Sequence, residues 1–331
     1  MTDTADRSPV MTPPTPASPR VPHRLTVLTL LWLACYALIR AVLVILDPQV
    51  PLSAVRADLI VITGWWSVAL PVVALAAVAA QAAVVARRPG AALRWCVIIA
   101  GALTAAALMV SGALILLDLV GGILPGLGVV FFPLGAVIRA SCVVAAALIA
   151  AHTWRFWRAT RRTGSSRPRP ERTPPWVVMA GYAVVAACVI RLTAQLFVGM
   201  ENTPFAASPA SVLFELAFLL AGTLLPLALV HSWGRIWPGW VPWLHGRRVP
   251  RMLLLVCGGV LGASMVAYFG MMTVQMVIER MQGRNPFPPT DGEGLPEWFF
   301  WVSVPAYLIW GVGLAIGTIS YARITAPERS A

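Results

Sequence analysis

Residues 59–86 read LIVITGWWSVALPVVALAAVAAQAAVVA, and Arg87-Arg88-Pro89-Gly90 follow at once. No charged side chain interrupts the 28 positions. A bilayer's hydrocarbon core is roughly 30 Å thick, so at about 1.5 Å rise per residue a spanning helix needs about 20 mainly apolar residues. This stretch is long enough to cross, and paired arginines stop it at a headgroup region. Seven further runs repeat the pattern, giving predicted spans at 25–46, 59–86, 94–119, 129–151, 176–197, 209–230, 252–278 and 298–319. Barrel strands are about 10 residues long and alternate, whereas these runs are longer and apolar on every side. The expected fold is all-α: a polytopic membrane bundle of eight transmembrane helices.

Composition supports this. Of 331 residues, 59% are hydrophobic and 11% charged, against about 25% charged in soluble domains. The arginines give the orientation. Nineteen lie on one set of connections: Arg7, Arg20 and Arg24 in the N-terminal tail, Arg87, Arg88 and Arg94, seven from Arg155 to Arg172, Arg235, Arg247, Arg248 and Arg251, then Arg323 and Arg329. Only Arg56, Arg280 and Arg284 fall on the opposite connections. The positive-inside rule therefore predicts cytoplasmic N- and C-termini in a bacterial plasma membrane. The net charge of +12 has the same origin, and its expected partner is the anionic inner leaflet, not nucleic acid.

All 25 basic residues are arginine, so no lysine is present to form a retinal or pyridoxal Schiff base. Cys35, Cys96, Cys142, Cys188 and Cys257 stand singly in different spans without C-x-x-C spacing and read as small apolar residues. His152 and His231 fall at inner helix ends with no HxxxH or HExxH spacing, and read as interfacial. No GxSxG serine, glycine-rich phosphate loop or carboxylate cluster occurs. An enzyme is unsupported on these grounds, and no cofactor or metal is expected.

The chain divides into a Pro/Thr/Ser-rich tail at 1–23, a four-helix half at 24–154, an Arg/Pro-rich linker at 155–175, a second half at 176–322 and a short tail at 323–331. The halves share landmarks. Ala37-Leu-Ile-Arg40 matches Cys188-Val-Ile-Arg191 at an offset of 151, Pro89-Gly90 matches Pro238-Gly239 at 149, and Phe131-Phe132 matches Phe299-Phe300 at 168 across a longer last outer loop. Each half has an even number of spans, so the implied repeats run parallel, related by an axis along the membrane normal. Pro71, Pro133, Pro226 and Pro305 place one proline in each outward-to-inward span, where a packed kink or a cavity is expected. Gly258-x-x-x-Gly262 and Gly313-x-x-x-Gly317 predict close approach of the last two spans.

Arg40, Arg139 and Arg191 lie inside spans, with Glu215 and Asp118 as the acids at comparable depth. A central arginine costs about 2.5–3.5 kcal/mol on insertion scales, so such residues face partners or water. The expected pairs are Arg191 with Glu215 and, through water, Arg139 with Asp118, while Arg40 can snorkel toward Asp47. Three cations against two acids leave one for a ligand. The five residues form the candidate site of an outward-facing, transporter-like or anion-binding bundle. Two alternatives stand beside it: a structural or assembly subunit in which the charges only tie helices together, and a membrane enzyme acting on a lipid-linked substrate.

The 233–251 connection, WGRIWPGWVPWLHGRRVPR, interleaves four tryptophans with prolines and four arginines and reads as an interfacial belt. Together with the ALIR and CVIR segments it resembles uncharacterised eight-span integral membrane proteins of high-GC Gram-positive, actinomycete-type bacteria. The resemblance implies a class and a bacterial membrane location, and brings no reaction or binding residue.

Overall fold

The computed structural model describes residues 23–46, 62–85, 90–124, 127, 130–160, 172–199, 209–237, 239, 243, 245–287 and 295–326. Among them it contains α1 (His23–Leu46), α2 (Trp66–Val85), α3 (Ala91–Ser111), α4 (Ile115–Ile123), α5 (Pro133–Thr160), α6 (Pro175–Val198), α7 (Pro209–Gly222), α8 (Leu224–Val230), α9 (Arg251–Met281) and α10 (Glu297–Ile324). Eight helical segments are long and apolar enough to cross a membrane, with α7 and α8 together forming the sixth, Pro209–Val230. The protein is an all-α polytopic bundle. Its outward faces carry Leu31, Leu38, Ile45, Val137, Met179 and Val212 exposed, as lipid-facing surface requires.

Two breaks depart from the expected spans, and both shape the site. The third apolar run, 94–119, is not one helix: α3 ends at Ser111, and a turn through Gly112 leads into the short α4. Gly112 occupies a tight crossing, since a Cβ there would lie 3.2 Å from the Arg139 carbonyl oxygen. The second break divides the sixth span at Thr223, whose φ and ψ are −120° and −62°. Pro226 causes it, because a proline ring clashes with the carbonyl four residues back, here that of Gly222, and supplies no N–H to it. Pro71 and Pro305 do lie inside helices. Pro133 instead opens α5, where its missing donor is not needed.

The bundle has two large cores and a smaller one of Val84, Val97 and Phe156 among α2, α3 and α5. One large core joins Leu33, Val78, Leu108, Ile138, Cys142 and Ile149, and the other Val184, Cys188, Leu229, Met265, Trp310 and Leu314. Around the first, α1 packs on α2, α2 on α3, α3 on α5 and α5 back on α1; around the second, α6 packs on α8, α8 on α9, α9 on α10 and α10 back on α6. The halves meet where α3 and α4 touch α9. Glycines set the closest crossings, though not entirely as the sequence spacing predicts. A Cβ on Gly262 would lie 3.0 Å from the Ala315 nitrogen and one on Gly311 2.9 Å from the Val266 nitrogen, so these two join α9 to α10. Gly313 faces α6 at the Ala180 carbonyl, and Gly317 faces Leu229 of α8.

Candidate functional site

The three intramembrane arginines are stabilised in three different ways. Arg139 ends the second turn of α5 and is 1% exposed. Its Nε and Nη2 donate to Oδ2 and Oδ1 of Asp118 at 2.5 and 2.6 Å. The expected water-mediated contact is thus a direct fork-to-fork pair, the strongest geometry open to a guanidinium. The α3–α4 break makes it possible, because a third span continuing to 119 would carry Asp118 toward the outer boundary, whereas α4 holds it buried against α5.

Arg40 is 2% exposed on α1. Its Nε and Nη2 donate to Ser67 Oγ at 3.1 and 2.8 Å, and Ser67 in turn donates to the Gly64 carbonyl at 2.6 Å. Its expected snorkelling partner, Asp47, lies outside the described residues.

Arg191, on α6, is half-buried and has no carboxylate partner among the described residues. Its Nε donates to the Tyr307 hydroxyl at 2.7 Å and its Nη2 to Gln195 Oε1 at 3.1 Å. Its guanidinium carbon lies 5.4 Å from the ring centre of Phe218, 5.9 Å from Tyr307 and 6.0 Å from Phe299. Desolvated cation–π contacts of this kind contribute about 2 kcal/mol, which offsets much of the insertion cost without cancelling the charge. The expected Arg191–Glu215 pair is absent: Glu215 lies on the exposed face of α7. The rings occupy the place assigned to the acid, since Phe218, one turn further along α7, points at Arg191 while packing edge-on against Trp310 at 4.7 Å.

A second polar cluster, unforeseen from the sequence, lies at the opposite ends of the same helices. His152 is 0% exposed, enclosed by the bundle. Its Nδ1 lies 2.8 Å from Gln81 Oε1 and its Nε2 3.1 Å from Thr26 Oγ1. An amide oxygen only accepts, so Nδ1 carries the proton and the Thr26 hydroxyl donates to Nε2. Gln81 Nε2 donates to the Val97 carbonyl at 2.8 Å and to Thr153 Oγ1 at 3.1 Å. Four helices are tied by this network, and every member has its partner. His231 is the more exposed histidine, edge-on to Tyr182 with their polar atoms 3.2 Å apart.

The five candidate residues therefore separate. Arg139 and Asp118 neutralise each other, Arg40 is sealed, Glu215 stands apart, and Arg191 keeps an uncancelled charge in an aromatic recess. No group of three His, Cys, Asp or Glu among the described residues is placed to hold a metal ion. Compared with protein-family models, curated proteins and solved structures, the chain matches none.

Proposed function

We propose that the protein is a transporter-like, ligand-binding membrane bundle built from two parallel four-helix repeats, and that its ligand is an anion held at Arg191. Support for the repeat goes beyond the shared packing order. Arg94, in the first turn of α3, donates to the Thr160 carbonyl at the end of α5 at 3.1 Å. Arg251, which opens α9, donates to the Ala322 carbonyl and the Thr325 hydroxyl at the end of α10, at 3.1 and 3.0 Å. Thr160 and Thr325 each donate back to an aromatic residue's carbonyl four positions earlier, Phe156 and Tyr321. The two halves thus use one device, a basic side chain of the third helix capping the C-terminus of the fourth.

On the 168 offset, Tyr307 stands where the first half has Arg139, and on the 151 offset Arg191 stands where it has Arg40. In this reading the first half has sealed its site with Asp118, and the second has kept it for a ligand. The single observation that carries the proposal is a cation within a span that meets only rings and neutral acceptors among the described residues. An ionisable residue inside the membrane is by default a candidate functional site. With cytoplasmic termini in a bacterial plasma membrane, Arg40, Arg139 and Arg191 all lie in the outer half of the bilayer, and the His152 network in the inner half.

The structural-subunit alternative has one observation in its favour, the Arg139–Asp118 pair, which ties α4 to α5 without needing a ligand. Thermal unfolding of purified wild type and Arg191→Gln, with soluble and amphiphilic anions, separates the two readings. The ligand-binding reading requires at least one anion to raise the wild-type midpoint more than that of Arg191→Gln. Equal responses to every anion leave the structural-subunit reading in its place.

A further inference from the structure

We infer that the anion held at Arg191 is the headgroup of an amphiphile, carrying one negative charge and reaching the recess sideways from the lipid past α7. The inference rests on the ligand-binding reading above and narrows it.

The recess suits a charged head on an apolar body. Two of the guanidinium's nitrogens are engaged by Tyr307 and Gln195, and three aromatic rings stand around it. A small hydrated anion needs several donors to replace its water shell, and beside the guanidinium the described wall offers only the Tyr307 hydroxyl and the Gln195 amide among the three rings. A lipid headgroup already lies at the hydrocarbon boundary, so it gives up less water than a soluble anion on moving to Arg191.

The flank of the recess is equally apolar. Of the fourteen residues of α7 only Gly222 is buried. Val212, Leu213 and Leu216 on α7, and Leu196 and Phe197 near the end of α6, are exposed. The Thr223 break frees the outer part of α7 from the line of α8, and Phe218 is its main aromatic contact with α10, stacked edge-on against Tyr307 and Trp310. A ligand arriving from water would be expected to meet a polar rim here; one arriving from the bilayer meets side chains like its own tail.

Glu215 sets the charge limit. It lies three residues before Phe218 on the exposed side of α7, so a carboxylate borders the approach. It disfavours headgroups with two or more negative charges and leaves a phosphodiester or a single carboxylate as the fitting class.

The test titrates purified protein in neutral detergent with phosphatidylglycerol, with phosphatidylcholine, and with soluble glycerophosphoglycerol, the same singly charged phosphodiester without its tails, reading the thermal midpoint and lipid retention by native mass spectrometry. Phosphatidylglycerol is expected to raise the wild-type midpoint and to be retained, phosphatidylcholine and glycerophosphoglycerol to do neither, and Arg191→Gln to lose the response. The Arg284→Gln variant, which removes one exposed arginine outside the recess, should keep it. If glycerophosphoglycerol stabilises wild type but not Arg191→Gln, the ligand-binding reading stands and the amphiphile is wrong. If neither anion distinguishes the two proteins, both fail. Should Arg191→Gln not fold, Glu215→Gln decides: its residue is exposed, and removing the carboxylate should lower the half-saturating phosphatidylglycerol concentration about threefold or more. An unchanged titration would overturn the inference.

Discussion

Arg139 and Arg191 carry the same formal charge and differ in what removing them would strand. Asp118 is buried and both its carboxylate oxygens accept from Arg139, so Arg139→Met leaves a carboxylate in a site that cannot hydrate it. The expected loss is about 3–5 kcal/mol, and adding Asp118→Leu should restore most of it, since replacing a whole buried pair by apolar side chains is close to neutral. Thermal unfolding of the single and double variants in detergent measures this, and simple additivity of the two changes would show that the pair is not the unit of stability. A second test concerns the inner network. A Cβ on Gly101 would collide with the Gln81 amide nitrogen and the Thr153 hydroxyl, both of which would have to leave their partners. Gly101→Ala should cost about 1–3 kcal/mol, the usual penalty for a buried polar group left unmet, while Gly90→Ala, which meets open space, should cost nothing comparable. The sequence exposed the arginines because any charge inside an apolar run stands out. It hid their partners: His152 meets residues 71 and 126 positions away, and no local pattern reports such pairings. The 168 offset maps Arg139 onto Tyr307, but nothing in that equivalence says that Tyr307 meets Arg191, and charge alone points to a carboxylate rather than to rings.

At the scale of elements, run length predicted all eight crossings, because lipid tolerates nothing but satisfied backbone and long apolar helices provide it. The break at Gly112 was not visible for the same reason, since apolar residues flank Ser111–Gly112 on both sides and hydropathy is blind to where the hydrogen bonds stop. The break at Thr223 is different, because Pro226 marks it in the sequence as a kink. Spacing of small residues identified the α9–α10 crossing but assigned Gly313 to the wrong neighbour, since G-x-x-x-G gives a helix face and says nothing of which helix covers it. That distinction can be measured. A methyl on Gly262 would press on backbone atoms of α10 at 3.0 and 3.2 Å, which cannot rotate away, whereas one on Gly259 would meet only Thr318 Cγ2 at 3.7 Å. Gly262→Ala is expected to destabilise by about 1–3 kcal/mol and Gly259→Ala to be neutral or slightly stabilising, both read as shifts in thermal midpoint. Equal effects would mean that α9 and α10 are not held at this separation.

For the whole molecule, orientation decides what the recess can meet. Each half closes on its own core and the halves touch chiefly at α3, α4 and α9, so the sides of the membrane are fixed by the connections more than by the packing. Those connections differ in charge nineteen arginines to three, and Lys/Arg bias is what sets the orientation of such a chain. The described part of the 233–251 connection agrees in character: Ile236 bridges Arg248 in a short hairpin, with Trp243 94% exposed at its tip and Arg247 and Arg248 exposed beside it, a surface suited to anionic headgroups. If this end is cytoplasmic, Arg191 opens toward the outer leaflet, and the amphiphile it binds must be drawn from there. After replacement of the five native cysteines, single cysteines at Ser53 and Asp291 should react with an impermeant thiol reagent in intact cells, and one at Ser165 only once the cells are permeabilised. Labelling of Ser165 from outside would invert the protein, move the recess to the cytoplasmic leaflet, and make the inner leaflet the source of whatever Arg191 holds.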